Sequence, residues 1–262
     1  MHIAVFVKQV PDTTDVKIDP KTGTLMREGI PSIINPFDMY AIEEALRIKE
    51  KAGGKVTVVT MGPPQAVDAL REAISYGVDE CILVSDRAFA GADTLATSHT
   101  LSAAIKKMGD VDLIICGKQA IDGDTAQVGP GIAEWLNIPF VAFAGKVEII
   151  DNTKLKVYRM TEMGHDVVEL PLPAAITVVK EINEPRMPSL KGKMRAKSYN
   201  PVAWKAADLE VDKLKIGLDG SPTRVYKVFS PKTDRKSEMI HGDSIHEMVD
   251  KLSVKLEEAK LI

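Results

Sequence analysis

Four apolar runs, at 2–7, 55–60, 81–85 and 111–116, constrain this chain more than any other feature. Each is rich in β-branched residues and apolar throughout rather than at alternate positions. Strands of that kind are buried on both faces, as in a parallel sheet covered by helices. The segments between them carry helical patterns. Asn35-Pro36-Phe37-Asp38 announces the first: Asn35 can cap free backbone N–H groups, and Pro36 suits the first helical position. Met39, Ile42, Ala45, Leu46 and Ile48 follow at helical spacing, and Gly53-Gly54 stops the helix. Pro63-Pro64 opens a second helix with Val67, Leu70 and Ile74, closed by Gly77. Asp93 can cap a third, through Leu95, Leu101, Ile105 and Met108. A glycine-rich turn after Cys116 leads to a short helix ending near Trp135. The expected class is α/β, with a Rossmann-like parallel sheet and helices on both faces.

Beyond residue 140 the rhythm changes. Segments 147–150, 155–160 and 166–170 read as shorter strands turning at Asn152 and Gly164, an antiparallel β-hairpin insertion near 145–172. Segment 174–179 reads as a return to the main sheet. From 183 to 198 there is no periodicity, two prolines and basic residues at 186, 191, 193, 195 and 197, which predicts an extended arm. A last amphipathic helix runs from Asp243 to about Leu261, with Ile245, Met248, Leu252 and Leu256 on one face. The expected division is a nucleotide-binding domain over 1–182 and a C-terminal arm with its terminal helix over 183–262.

Hydrophobic residues at 45% and charged residues at 27% exclude a disordered chain. A net charge of -3 gives no global basic field, so bulk nucleic-acid binding is not expected. Met1-His2 leads directly into Ile3-Ala4-Val5-Phe6-Val7, too short and poorly flanked for a signal peptide. No apolar run approaches the roughly 18 residues needed to cross a bilayer. Cys81 and Cys116 sit apart, beside strand-like runs, and suggest reduced, buried thiols rather than a metal site or disulfide. A cytoplasmic protein is expected.

The strongest local signal is Gly117-Lys118-Gln119-Ala120-Ile121-Asp122-Gly123-Asp124-Thr125-Ala126-Gln127-Val128-Gly129-Pro130-Gly131. It follows a buried strand and enters a helix, which places it at the carboxyl end of the sheet, where ligands favour open α/β folds. Its glycines would let backbone approach a phosphate, and the N–H groups of the next helix would point at it. As a bare pattern it fits neither a Walker loop nor Gly-x-Gly-x-x-Gly, and a solvated turn explains it as readily. Val7-Lys8-Gln9-Val10 and Thr60-Met61-Gly62-Pro63 end the first two strands at the same edge, so three ends would form a cleft for an adenine nucleotide. Ala92-Asp93-Thr94 reads first as an N-cap and second as a further phosphate or hydroxyl contact.

Catalytic constellations are thin. His2 and His99 fall on predicted core elements or their edges, His165 falls in a turn, and His241 and His246 flank the last helix. None clusters as metal ligands do, and no catalytic residue can be named. A nucleotide cleft without a nucleophile suits a carrier of a redox cofactor. The basic arm reads as a solvated loop, a nucleic-acid contact or a docking segment in which Met187 and Leu190 are apolar anchors. Arg224, in Ser221-Pro222-Thr223-Arg224, reads as a solvated turn arginine, or else as a cofactor contact across a subunit boundary.

Taken together these segments resemble the electron transfer flavoprotein beta subunit. The matching pieces are Val7-Lys8-Gln9-Val10-Pro11, Asn35-Pro36-Phe37-Asp38 with Glu43-Glu44-Ala45, Gly62-Pro63 with Gln65, and Gly117-Lys118-Gln119-Ala120-Ile121-Asp122. The hairpin at 158–170 with Pro173-Ala174-Ala175-Ile176-Thr177 resembles the family's signature region, and Asn183-Glu184-Pro185-Arg186 its following arm. The resemblance implies an adenine nucleotide alpha-hydrolase-like fold whose C-terminal arm embraces an alpha subunit in a heterodimer. It implies AMP or FAD contacts from Phe6, Asn35, Pro36, Phe37, Asp38, Met61, and Asp124, Thr125, Ala126, Gln127, Val128, Gly129, Pro130 and Gly131. It also implies that Leu190 inserts into a partner dehydrogenase.

Gly123, Pro130 and Ala92-Asp93-Thr94 resemble the electron-bifurcating group of that family, which adds Asp93 and Thr94 to the contacts. Small Gly123 and Ala126 leave room for a flavin beyond the phosphate. The resemblance then implies a second FAD that takes hydride from NADH. One electron goes to ferredoxin or flavodoxin, the other through the alpha-subunit FAD to an acyl-CoA dehydrogenase. Two other readings stand beside it: a scaffold subunit with structural AMP, and a nucleotide-binding stress-type or adenylating α/β protein. The last leaves the hairpin and basic arm without a role. If the glycine-rich turn binds FAD, a β-branched residue at Gly129 or Gly131 is expected to empty this cleft while sparing the alpha-subunit flavin.

Overall fold

A computed structural model describes residues 1–12, 31–226 and 237–262; residues 227–236, part of the expected arm, lie outside the described residues. The chain divides into two compact units, Met1–Tyr226 and Lys227–Ile262. The first begins with β1 (His2–Phe6), β2 (Gln9–Pro11), β3 (Ser32–Ile34), α1 (Pro36–Ala52), β4 (Lys55–Met61), α2 (Val67–Ser75) and β5 (Glu80–Val84). It continues with α3 (Thr94–Met108), β6 (Leu113–Gly117), α4 (Val128–Leu136), β7 (Phe140–Asp151), β8 (Lys154–Thr161) and β9 (Gly164–Pro171). β10 (Ala174–Val178), α5 (Leu190–Ser198) and β11 (Val202–Trp204) complete its strands and α-helices.

Nine strands form one sheet in the order β11-β5-β4-β1-β6-β10-β7-β8-β9. β11 to β7 run parallel, and the last two pairings are antiparallel. The apolar strand runs have a direct physical cause. Along β1, Ile3 and Val5 enter one core with Ile42, Leu46, Leu70 and Ile74 of α1 and α2. Ala4 and Phe6 enter the other with Leu101 and Ile105 of α3 and Ile132 of α4. From Ile3 to Phe6 each residue of β1 thus faces a helix-covered core, and no position there is left for water. The mostly parallel α/β sheet read from the sequence is the fold found.

β1 lies between β4 and β6, and the chain winds outward from it in both directions. The connections therefore diverge at the carboxyl ends of β1 and β6, which opens a crevice there. β7 serves two purposes. Its first residues pair parallel to β10, the register shifts near Ala144, and its outer half pairs antiparallel with β8. Phe143 at the bend has φ +59°. β8 and β9 are the expected hairpin, and the outer half of β7 is its third strand.

Several local expectations are corrected. Asn35 stands at the N-cap of α1, but its side chain caps nothing there; it reaches across the crevice, as described below. The segment expected to be an irregular arm becomes helix α5 from Leu190 onward, capped by the Ser189 hydroxyl, which accepts the Gly192 N–H. α5 shows no apolar stripe because none of its residues is buried. It packs on α2 by backbone approach: a Cβ at Gly192 would strike the Ser75 carbonyl oxygen. The antiparallel ribbon of β2 and β3 and the edge strand β11 are absent from the sequence reading, and at three residues each they are too short to show a period. His165 lies just inside β9 rather than in the turn.

In the second unit, α6 (Ile245–Glu258) is capped by Ser244. His246 is its second residue rather than a flanking one. Ile245, Val249 and Leu252 are exposed on it. Among the described residues no helix is long and apolar enough to cross a membrane.

Candidate functional site

The crevice is built around Asp38, in the first turn of α1. Its carboxylate accepts the Lys8 backbone N–H at 2.7 Å, just past β1. Gly117, closing β6, has to be glycine: a Cβ there would lie 2.7 Å from the Phe37 carbonyl carbon and closer still to Asp38 Oδ1. The carboxyl is buried, which pushes its pKa up to about 7 against hydrogen bonds from Lys8, Asn35 and Gly117 that favour the ionised form.

Asn35, 1% exposed, joins this group to the glycine-rich turn. Its Nδ2 donates to the Gln119 carbonyl at 2.8 Å, and its Oδ1 accepts the Ile121 N–H at 3.1 Å. Outside it, Lys8 pairs with Asp122 at 2.6 Å and Gln119 donates to Asp124 at 2.9 Å. The two sides of the crevice are thus laced together through groups far apart in the chain. Lys8, Gln119 and Asp122 belong to this lacing but fall outside the contacts predicted from sequence. Their place beside strand ends, within the two motifs that carry the family resemblance, was what marked them.

A second group forms where α3 and α4 begin. Asp93 caps α3: Oδ1 accepts the N–H groups of Leu95 and Ala96 at 3.0 and 3.1 Å. Its Oδ2 accepts the Thr223 N–H and hydroxyl at 3.0 and 2.9 Å, and the Asp93 N–H goes to the Ser221 hydroxyl. Burial pulls the Asp93 carboxyl upward, but these donors outweigh it and hold it below the ordinary range. Its oxygens are fully engaged within the chain. The neighbouring Thr94 hydroxyl donates to Gln127 Oε1 at 3.1 Å and so ties the starts of α3 and α4 together.

α4 is different at its start. No side chain caps it, Pro130 has no N–H to offer, and the Gly131 N–H goes to the Gln127 carbonyl. The N–H groups of Val128 and Gly129 therefore stand at the positive end of the helix, an arrangement suited to an anion. Ala126, just before it, holds φ +54°, a left-handed conformation rare for alanine.

The glycines divide by role. A Cβ at Gly129 would lie 2.7 Å from the Thr177 methyl, and one at Gly131 2.7 Å from the Ser98 hydroxyl. Both permit close packing of α4 on β10 and α3, which the sequence could not separate from approach to a phosphate. Gly123 meets nothing within 4 Å, so open space adjoins it. Asp124 and Thr125 are exposed beside it, Phe6 is buried at the end of β1, and Met61 is half-buried at the end of β4. Leu190 stands apart on α5, exposed, and Arg224 is exposed next to the Asp93–Thr223 contact.

These features suit an adenine dinucleotide or mononucleotide: an uncapped helix start for phosphate, hydroxyl and amide groups at its rim, and open space beyond. They offer no metal site, since among the described residues no three His, Cys, Asp or Glu side chains converge. The family model for the electron transfer flavoprotein domain matches residues 22–209. The electron transfer flavoprotein subunit beta of Thermoanaerobacterium thermosaccharolyticum is 54% identical over 259 residues, covering 97% of this chain and 98% of that protein. The caffeyl-CoA reductase-Etf complex subunit CarD of Acetobacterium woodii is 50% identical over the whole of both chains. Protein FixA of Azotobacter vinelandii is 49% identical over 92% of this chain and 89% of its own. By fold, by match across most of its length and by these relatives, the chain belongs to the electron transfer flavoprotein family, among its beta subunits.

Proposed function

We propose that this chain is the FAD-binding beta subunit of a heterodimeric electron transfer flavoprotein that accepts hydride from NADH. The assembly divides the electrons between ferredoxin or flavodoxin and, through the alpha-subunit FAD, an acyl-CoA dehydrogenase. The observation that carries the reading is the uncapped start of α4, set beside the open space at Gly123. When bound, FAD supplies the conversion between two-electron and one-electron transfer that no side chain of the crevice can perform.

The chain's own residues would bind and exclude. The Val128 and Gly129 N–H groups would take a phosphate oxygen. Thr94, Gln127, Asp124 and Thr125 would offer hydrogen bonds to hydroxyl groups, at the expense of the Thr94–Gln127 bond. Asn35 and Asp38 would hold the turn in place from below, with Pro36 and Phe37 opening the helix that carries them. Phe6 and Met61 would supply apolar wall, and Ala126, Pro130 and Gly131 would fix the backbone path.

Residues 1–182 would then be the nucleotide-binding domain and 183–262 the arm against the alpha subunit. The exposed Ile245, Val249 and Leu252 of α6 suit that contact. Met187 and Leu190, 85% and 78% exposed within a basic surround, suit docking of the dehydrogenase. The name of the A. woodii relative, caffeyl-CoA reductase-Etf complex subunit CarD, joins an Etf subunit to a reductase of an acyl-CoA and supports a partner of that class. Both cysteines are free and buried, in keeping with the cytoplasm.

The test is flavin stoichiometry in the purified alpha–beta heterodimer, followed by anaerobic addition of NADH. Two FAD per heterodimer, bleached by NADH, are expected. One FAD with one AMP and no bleaching would replace this reading with a scaffold subunit in the same family.

A further inference from the structure

α1 carries acidic side chains in unusual surroundings. Glu43 and Glu44 are adjacent and only 4% and 7% exposed. Both are met by the segment between β10 and α5. Arg186 gives its backbone N–H and its Nε to Glu43 Oε2 at 3.1 and 2.8 Å, and its Nη2 to Glu43 Oε1 at 3.2 Å. Its Nη1 and Nη2 reach the two oxygens of Glu50 at 2.5 and 3.2 Å. Asn183 donates to Glu44 Oε2 and to the Tyr40 carbonyl. Arg47 bonds Glu43 and the Glu184 carbonyl. Burial pushes Glu43 up, but the Arg186 and Arg47 bonds outweigh it and hold it below the usual carboxylate range.

The far end of the segment is tied as firmly. Arg195 donates to the carbonyls of Val78 and Asp79, and the Tyr199 hydroxyl accepts the Cys81 N–H at 2.8 Å. Between the two anchors stand Met187, Leu190 and Met194, all exposed, with Lys191, Lys193 and Lys197 around them. Left to itself, a flexible segment folds such side chains back onto the nearest apolar surface. Here the polar anchors fix the backbone while the apolar side chains face water. We infer that Arg186 is a positioning residue: its double clamp on Glu43 and Glu50 holds Met187 and Leu190 outward, in the form that a partner protein grips. Docking then requires no ordering of the segment, because folding has already ordered it. This rests on the docking role proposed above for Leu190.

The test uses the full heterodimer and, as probe, a butyryl-CoA dehydrogenase, with KM for the dehydrogenase and kcat measured separately. Trypsin nicking after Lys191 and Lys193 gives a readout independent of docking. Arg186→Gln is expected to raise KM by roughly tenfold with kcat within about twofold, the cost of ordering a few side chains on binding. Nicking should quicken at the same time. Arg186→Lys keeps the charge but loses the fork, and should recover only part of the affinity. Glu50→Gln loosens only the exposed half of the clamp, so it should raise KM by about threefold with melting unchanged. It decides the matter if Arg186→Gln fails to fold. Unchanged KM and nicking in the Arg186 and Glu50 variants, while Leu190→Ala raises KM, would overturn the clamp and leave the docking role standing. No effect from Leu190→Ala would overturn both.

Discussion

Gly117→Ala should be among the most disruptive single-methyl changes in this subunit, and the structure says by how much. The residue has an ordinary backbone conformation, so the penalty is steric. The added carbon would lie 2.7 Å from the Phe37 carbonyl carbon, 2.9 Å from the Asp38 amide nitrogen and nearer to Asp38 Oδ1. The Oδ1 atom could swing aside, but the carbonyl carbon and amide nitrogen are backbone of the first turn of α1 and cannot rotate away, so the turn must move as a body. Overpacking of that kind costs about 1–3 kcal/mol. Moving Asp38 also stretches its 2.7 Å bond from the Lys8 N–H, at about 1–3 kcal/mol for a buried group losing its partner. A combined loss of about 3 kcal/mol corresponds to a melting temperature lower by roughly 6–12 °C in a chain of this size. The assay is thermal unfolding of the purified heterodimer, with bound nucleotide counted after release. Gly123→Ala is the matched control. Its methyl meets nothing within 4 Å and should leave melting within about 2 °C of the parent. Equal melting temperatures for the two variants would refute the steric argument and, with it, the placing of α1 against β6.

Asp38→Asn should flatten the dependence of stability on pH. The folded protein holds this proton to about pH 7 while the unfolded chain releases it near 3.8, so stability falls as pH rises through that window, by roughly 4 kcal/mol at most. An unchanged slope in denaturant titrations from pH 4 to 7 would remove Asp38 as its source. Asp93→Ala should cost about 2 kcal/mol through loss of the α3 cap and release of Thr223. The wild-type carboxyl lies below its unfolded value, so its support is present above about pH 4 and fades as pH falls through the lower folded value. The same variant measured at acid pH should therefore lose less. Ala126→Gly should be stabilising by about 1 kcal/mol, since glycine accepts φ +54° without strain; a lower denaturation midpoint would contradict it. Gly131→Val should lower melting of the whole subunit as well as its nucleotide content, because its side chain meets Ser98 of α3 before any ligand.

Much of the fold was legible because burial on both faces leaves short, continuously apolar runs, and their length and flanking turn residues set them apart from buried helix. Ile3-Ala4-Val5-Phe6 is continuously apolar because alternate residues feed two separate cores. Asp93 was legible as a cap because capping is local: donor and acceptor lie two and three residues apart. Asn35 shows the limit. The same residue type at the same kind of position predicts the same cap, yet its side chain spends its bonds on Gln119 and Ile121, more than eighty residues onward. Nothing in the local sequence separates the two cases. What decides is whether a second loop arrives within reach, and that follows from the order of strands in the sheet.

The glycines of the turn carry the same lesson into function. Gly117, Gly123, Gly129 and Gly131 look alike in sequence, and a phosphate-binding reading credits all of them with backbone approach to a ligand. In the folded chain three are required by neighbours inside the protein: Asp38, Thr177 and Ser98. Only Gly123 faces open space. The feature that best suits a nucleotide is therefore not the glycine count but the bare start of α4, where Pro130 lacks a donor and no side chain fills the cap. Asp93 fills the equivalent place on α3 and bonds Thr223, so two neighbouring helix starts differ, one capped by the chain itself and one bare of any side-chain cap. That difference is the physical reason to place the phosphate at α4 rather than α3. A phosphate at α4 would also lie beside Gln127, whose bond to Thr94 ties the two helix starts together, so occupancy would be felt at α3 through that side chain as well as through the packing of Gly131 on Ser98.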